Sequence, residues 1–273
     1  MKPMDEHAYL ERIGYRGSCE PTAETLRQLH RAHLLAVPFE NLDIHLGQPI
    51  VLSLPAFYEK IVERRRGGFC YELNGLFGWL LERLGFAVTL LSARVFTAAQ
   101  PGPEFDHLVL LVETGERLLA DVGFGDSFLE PLRLDTEEAS VQRGSSFRLT
   151  GSGQERVLQR QQGSGWESRY VFSLTPHRLG EFSAMCQHHQ TSSGSIFTRM
   201  AICSLATPDG RITLSNDRLL TTSVGGREER VVTGEEAYRA LLKERFGMDL
   251  GGWARLDGLL APAALSRQVE GNA

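Results

Sequence analysis

Apolar residues recur with a helical period along residues 65–85. Leu73, Leu76, Phe77, Leu80, Leu81 and Leu84 fall three or four positions apart and mark one helix face. Gly85 lies just past the last of them and reads as the stop, with Arg83 near the negative end of the helix dipole. Gly67-Gly68 offers a tight turn before the helix begins. Upstream, Tyr9, Leu10, Ile13 and Tyr15 give a short helix-like pattern. Pro21-Thr22 opens a second helix, with Leu26, Leu29, His30, His33 and Leu34 on one side, and Pro38 ends it. Pro55 begins another through Phe57, Ile61 and Val62. The pattern predicts a helical domain over residues 1–86.

Past Gly85 the period changes from helical to alternating. Residues 87–96 are rich in strand formers, and residues 107–113 and 117–122 form a hairpin around Thr114-Gly115-Glu116. Short strand patterns follow at 147–150, 157–159 and 170–174, separated by Gly/Ser breaks at Gly151-Ser152-Gly153 and Gly163-Ser164-Gly165. These suit a β-barrel over residues 87–190. Residues 177–189 read as a helix, residues 190–197 as a loop of small residues, and residues 198–206, 211–215, 218–222 and 229–232 as strands. A helix over 235–246 completes an α/β lid assigned to residues 191–273, with a weakly patterned tail from Ala261 that is expected to fray. The class is α+β.

Length and composition narrow the function. A chain of 273 residues suits two or three compact units, and 42% hydrophobic with 23% charged residues is ordinary for a soluble protein. A net charge of −5 points away from nucleic acid and anionic membranes. No apolar run is long enough to span a bilayer, and residues 1–11 lack an apolar signal core. Cys19, Cys70, Cys186 and Cys203 are too sparse for a disulfide framework, so a reducing cytoplasm is expected. The protein is expected to be a monomer or a homodimer.

Cys70 sits at the start of the strongest helix, in register with its apolar face. A buried Cys there is most simply a small hydrophobe. The helix start changes that reading, because unpaired N–H groups and the positive dipole end are expected to lower the thiol pKa. A base is the missing element. His107 begins one hairpin strand and Asp121 ends the other, which places them about 5 Å apart as cross-strand neighbours. An Asp beside a His holds its tautomer and stabilises its protonated form, so Cys70, His107 and Asp121 together have the layout of a Cys-His-Asp triad. Glu40, in an otherwise apolar loop, calls for a buried partner, and Arg66 with its planar fork is the candidate. The pair His30 and His33, and the group Cys186, His188 and His189, lack the further ligands a metal site requires, so no metal is expected.

Five segments carry a resemblance that spacing alone does not. They are Arg12-Ile13-Gly14-Tyr15, Pro38-Phe39-Glu40-Asn41-Leu42, Arg66-Gly67-Gly68-Phe69-Cys70, Asp106-His107 and Asp121-Val122-Gly123-Phe124-Gly125. In this order they resemble the arylamine N-acetyltransferases, over nearly the whole chain. The resemblance implies a helical domain, a β-barrel and an α/β lid, with a cysteine-proteinase-like triad of nucleophile Cys70, base His107 and orienting Asp121. It implies acetyl-CoA as donor and an aromatic amine or hydrazine as acceptor. Phe39, Phe69, Val95 and Phe124 are then candidates to line the acceptor slot, with Asp126 and Phe128 tuning which ring fits. Gly125, Ser195 and Phe197 are candidates for the coenzyme, although the family's His-Pro-x-Ser form is absent from residues 190–197. Three other readings stay open: an amide synthase acting on a carrier-bound acyl chain, a thiol hydrolase, and a binding module that has kept the fold.

Overall fold

The computed structural model describes residues 3–97, 99–252, 254–256 and 259. Its first part is helical: α1 (Glu6–Arg12), α2 (Ala23–Ala36), the two-residue strand β1 (Phe39–Glu40), α3 (Leu42–His45), α4 (Leu54–Tyr58) and α5 (Cys70–Arg83). The Thr22 hydroxyl caps α2 by accepting from the Thr25 N–H, as the Pro-Thr start predicts. A wider π-turn over Glu59–Glu63 continues α4. Leu73, Leu76, Phe77, Leu80 and Leu81 of α5 are fully buried, so the predicted apolar face is the face that packs.

Nine strands follow: β2 (Ala87–Thr97), β3 (Gln100–Pro101), β4 (His107–Glu113), β5 (Arg117–Ala120), β6 (Leu132–Arg133), β7 (Ser140–Gln142), β8 (Ser145–Thr150), β9 (Glu155–Gln162) and β10 (Gly165–His177). They form one antiparallel sheet in the order β6-β5-β4-β2-β10-β9-β8-β7, with β3 paired to the end of β2. The sheet curls until β6 approaches β8, an almost closed barrel. Strand β4 is apolar on both faces for a physical reason. Leu108, Leu110 and Val112 pack against α5, while Val109 and Leu111 fill the barrel.

The chain then returns to the helices through a 3₁₀ turn at Leu179–Phe182 and α6 (Ser183–Thr191). Next comes α7 (Ile196–Arg199), where sequence alternation predicted the opening of a strand. The Ser195 hydroxyl accepts the Phe197 N–H and starts a helical turn instead. Strands β11 (Ile202–Thr207), β12 (Gly210–Ser215), β13 (Arg218–Ser223) and β14 (Gly226–Val231) form a second antiparallel sheet, backed by α8 (Glu235–Phe246). Its far edge is β1, whose Phe39 pairs with Ser204 and Glu40 with Cys203. The helical layer is thereby stitched to the last sheet, a link too short to read from periodicity. The tail from Ala261 lies outside the described residues. No helix among the described residues is long and apolar enough to cross a membrane.

Candidate active site

Helix α5 begins on a buried network of charges. The Glu40–Arg66 pair expected from sequence is present: Arg66 Nε and Nη2 donate to Glu40 Oε1 at 3.1 and 2.8 Å. The network is wider than one pair. Arg66 also reaches Asp43 at 2.9 Å, and Lys60 bridges Asp43 at 2.8 Å and Glu72 at 2.9 Å. Glu72 in turn accepts the Phe69 N–H at 3.0 Å, capping the helix one residue before Cys70. Burial works against both cations, but the surrounding carboxylates raise Lys60 and Arg66 above their ordinary ranges. The role of Gly67-Gly68 differs from the expected tight turn. Neither adopts a positive φ. A Cβ on Gly67 would lie 2.1 Å from the Pro38 carbonyl, and one on Gly68 would lie 2.8 Å from Glu72 Cβ. The glycines are there for close approach, which lets β1 and the start of α5 touch through the Phe39–Gly68 bridge.

Asp121, just after β5, is fully enclosed and holds four hydrogen bonds. Oδ2 meets His107 Nε2 at 2.8 Å and accepts from the Tyr170 hydroxyl at 3.1 Å. Oδ1 accepts from Asn74 Nδ2 at 2.9 Å and from the Gly123 N–H at 3.0 Å. Burial pushes this carboxyl up, yet His107 and these donors outweigh it and hold Asp121 below the ordinary carboxylate range. Its backbone N–H donates to His30 Nε2 at 3.1 Å, and His30 Nδ1 bonds the Leu129 carbonyl at 2.8 Å. That fixes His30 as a neutral ring with the proton on Nδ1. Burial lowers its pKa to about 4.

Helix α5, which carries Cys70, is tied by several bonds to β4 and to the segment after β5, which carry His107 and Asp121. The Leu108 backbone lies close enough to the Cys70 sulfur to favour its charged form. Asn74, one turn along α5, donates to the Leu108 carbonyl at 2.6 Å and accepts the Val122 N–H at 2.8 Å. The Tyr71 hydroxyl donates to the Phe105 carbonyl at 2.7 Å. Gly123 then lies so close that a Cβ would sit 2.8 Å from Cys70 Cα. With Nε2 committed to Asp121, His107 keeps Nδ1 as its reactive edge. The thiol itself departs from expectation. The helix start was expected to lower its pKa, but burial raises it well above the ordinary range, with Asp106, Cys186 and Asp121 adding to the rise against the Leu108 backbone. Burial thus works against the charged form of this sulfur, and a neighbouring base would offset it.

Two aromatic groups flank this cluster. On one side Phe39, Phe69 and Phe197 meet edge to face or tilted, with Phe197 6.1 Å from Phe39 and 6.0 Å from Phe69. Phe69 is wholly buried and backs this wall, while Phe39 and Phe197 keep some surface. On the other side Phe124 packs 5.2 Å from both His107 and Tyr170, with half-buried Val95 in the same cluster. Gly125 joins the two sides, since its Cβ would touch the Phe39 ring at 3.4 Å. Ser195 is placed otherwise: its hydroxyl is buried and spent on the Phe197 N–H and on His189. Asp126 turns away to Arg160 and Arg211, and Phe128 stacks on His30 inside the barrel wall. His33 is held by the Tyr9 hydroxyl, and His189 by Asp106.

Asn74, Tyr170 and His30 are the polar residues that sequence reading missed. Asn74 carried a usable signal: it is a polar residue four positions after Cys70 on a helix buried nearly all round. Tyr170 and His30 arrive from distant segments and carried none.

With this geometry in place, comparison with known proteins is direct. The profile of the N-acetyltransferase family matches residues 22–254. The arylamine N-acetyltransferase of Mycolicibacterium smegmatis is 37% identical over 263 residues, covering 93% of this chain and 95% of that protein. The solved structure of the Salmonella typhimurium arylamine N-acetyltransferase superposes with a TM-score of 0.87 at 34% identity, covering 96% of this chain and 98% of that one. The Mycobacterium marinum enzyme, solved in complex with CoA, gives 0.85 at 34% identity over 94% and 97%. Identity sustained at this level from the helical layer to the last sheet, on the same fold, makes this chain a member of the arylamine N-acetyltransferase family.

Proposed function

We propose that the chain moves an acetyl group from acetyl-CoA to the nitrogen of an arylamine or arylhydrazine, through an acetyl-Cys70 intermediate. The observation that carries this is the buried His107–Asp121 pair, 2.8 Å across, with the residue after His107 bonded by Asn74 of the helix that Cys70 opens. An ionised carboxylate there makes His107 a stronger base and stabilises it once protonated.

In the first half, His107 Nδ1 takes the proton from the Cys70 thiol as the sulfur attacks the thioester carbon. The bond from that carbon to the CoA sulfur breaks, and the departing CoA sulfur recovers the proton from His107. One thioester replaces another, so little bond energy changes. In the second half the amine nitrogen attacks acetyl-Cys70. The carbon–sulfur bond to Cys70 breaks, and the proton shed by nitrogen passes through His107 back to the sulfur. An aromatic amine is unprotonated near neutral pH, so its lone pair is available. The developing oxyanion needs donors, and the Cys70 backbone N–H in the first turn of α5 has no intrahelical acceptor.

The acceptor ring is read into the gap between Phe39 and Phe197 on one side and Phe124 and Val95 on the other, with Phe69 as backing. Gly125 keeps that gap open for the donor's thiol arm, and the CoA complex of the Mycobacterium marinum relative supports a coenzyme donor. A reducing cytoplasm suits a free thiol of this kind. Steady-state kinetics test the scheme. A covalent relay gives parallel double-reciprocal lines when acetyl-CoA and amine are varied together, whereas intersecting lines would require both substrates on the enzyme at once.

A further inference from the structure

A second polar cavity lies between the barrel and the last sheet, behind the loop that leaves Phe124. It encloses about 120 Å³ and is lined by Asp126, Ser127, Arg143, Ser145, Arg160 and Arg211, among others. Its charges do not balance. Asp126 is the single carboxylate among the residues lining it, and it accepts from Arg160 at 3.0 Å and from Arg211 at 3.2 Å. Arg143, held by the Thr207 carbonyl, adds a third guanidinium; the acid that acts on it, Asp209, lies outside the lining, as does the opposing Arg31.

The guanidiniums still carry unused donors. Arg211 spends Nε on Asp126 and Nη1 on the Gly125 carbonyl and the Ser204 hydroxyl, which leaves Nη2. Arg160 spends both terminal nitrogens, on Asp126 and on Ser145, which leaves Nε. Arg143 spends Nη1 alone. Burial holds Arg211 below its ordinary range; Asp126 opposes this, while Arg160 and Arg143 press the same way. Like charges crowded in a half-buried space cost free energy unless an anion joins them. The Ser127 hydroxyl is buried here with no hydrogen-bond partner among the described residues. A buried hydroxyl beside guanidinium donors is placed to hydrogen-bond an acceptor that they bind.

We propose that this cavity binds a phosphate group. A tetrahedral oxyanion accepts from several converging N–H and O–H donors at once, which is the pattern on offer. The volume has room for one such group. The phosphate has two possible sources, a phosphate of the acetyl donor or free inorganic phosphate. The first source rests on acetyl-CoA being the donor, as proposed above. The loop makes that source reasonable: Phe124, in contact with His107, is three residues from Ser127.

Titration calorimetry at constant ionic strength tests the proposal, using inorganic phosphate and adenosine 3′,5′-bisphosphate on wild type, Arg143→Gln and Arg160→Gln. The expected result is saturable binding that weakens about tenfold in each variant, the scale of one charge-assisted hydrogen bond. Thermal melts of the free variants check that they fold, and Arg143→Gln, on an exposed turn, leaves the Asp126 pairs in place. Equal binding in all three proteins, or none in wild type, would overturn the proposal. Donor kinetics then separate the sources. If acetyl-CoA and its analogue lacking the 3′-phosphate differ in KM for wild type but not for Arg160→Gln, the phosphate belongs to the coenzyme. If their KM values match while inorganic phosphate still binds, it is a free anion. Binding is read without turnover, so a failure of acetyl uptake would sink the proposed function and leave this result standing.

Discussion

Two buried polar clusters flank the start of α5, and they are built on opposite rules. In the first, Glu40, Asp43, Lys60, Arg66 and Glu72 satisfy one another, and the remaining carboxylate oxygens take backbone N–H groups of Leu42 and Phe69. In the second, Asp121 is saturated by four donors, but the saturation stops at His107, whose Nδ1 is not spent on Asp121. The first cluster fixes where the helix begins. The second fixes everything around one proton and leaves that proton free to move. A saturated network anchors; a network saturated up to one atom is equipped for acid–base work.

The largest test of this contrast is Asp121→Asn. An amide in that position must set its NH₂ against the Asn74 and Gly123 donors, or else against His107, which then adopts the wrong tautomer. Acetylation of Cys70 should fall about 10⁴-fold, near 5 kcal/mol of barrier, while the fold survives. Stopped-flow acylation with a thermal melt as control reads both. Arg66→Ala should do the reverse. It takes the guanidinium from Glu40 Oε1 and Asp43 Oδ1, leaves Lys60 as their one shared cation, and should cost about 3–5 kcal/mol of stability in urea unfolding, with kcat preserved in whatever fraction stays folded. Asn74→Ala sits between the clusters. Removing its amide leaves the Leu108 carbonyl and the Val122 N–H unpaired, for a loss of about 1–3 kcal/mol together with slower acylation.

The remaining effect is a pH slope. His30 titrates near 4 when folded and about 6.5 when unfolded, so the unfolded chain binds more protons between those values. The stability owed to neutral His30 is present above about pH 6.5 and is lost as pH falls toward 4. His30→Gln should flatten that part of the stability–pH curve, read from urea midpoints at several pH values. Glu72 works the other way. Burial and the neighbouring acids Glu40 and Asp43 outweigh Lys60 and raise it to about 7, so its contribution favours the folded state at low pH and fades as pH rises toward 7.

Periodicity and the helix stop made α5 readable before any coordinates, and the hairpin register brought His107 to Asp121 because a tight turn leaves little freedom in strand pairing. The Glu40–Arg66 bond was legible because an acid among apolar residues needs a partner. What stayed hidden depended on distant chain. β1 has no local alternation and exists because β11 lies beside it. α7 turns on one serine hydroxyl. The helix start alone points the Cys70 pKa down, whereas its burial, which the local sequence does not show, points it up. His30 and Tyr170 reach Asp121 across 91 and 49 positions of chain.

Intact mass after mixing with acetyl-CoA, in the absence of amine, addresses the central claim most directly. Wild type should gain one acetyl group, Cys70→Ala none, and an added arylamine should strip the label from wild type. An unlabelled wild-type protein whose Cys70 still reacts with thiol probes would contradict the account and move the carrier-bound acyl donor to the front.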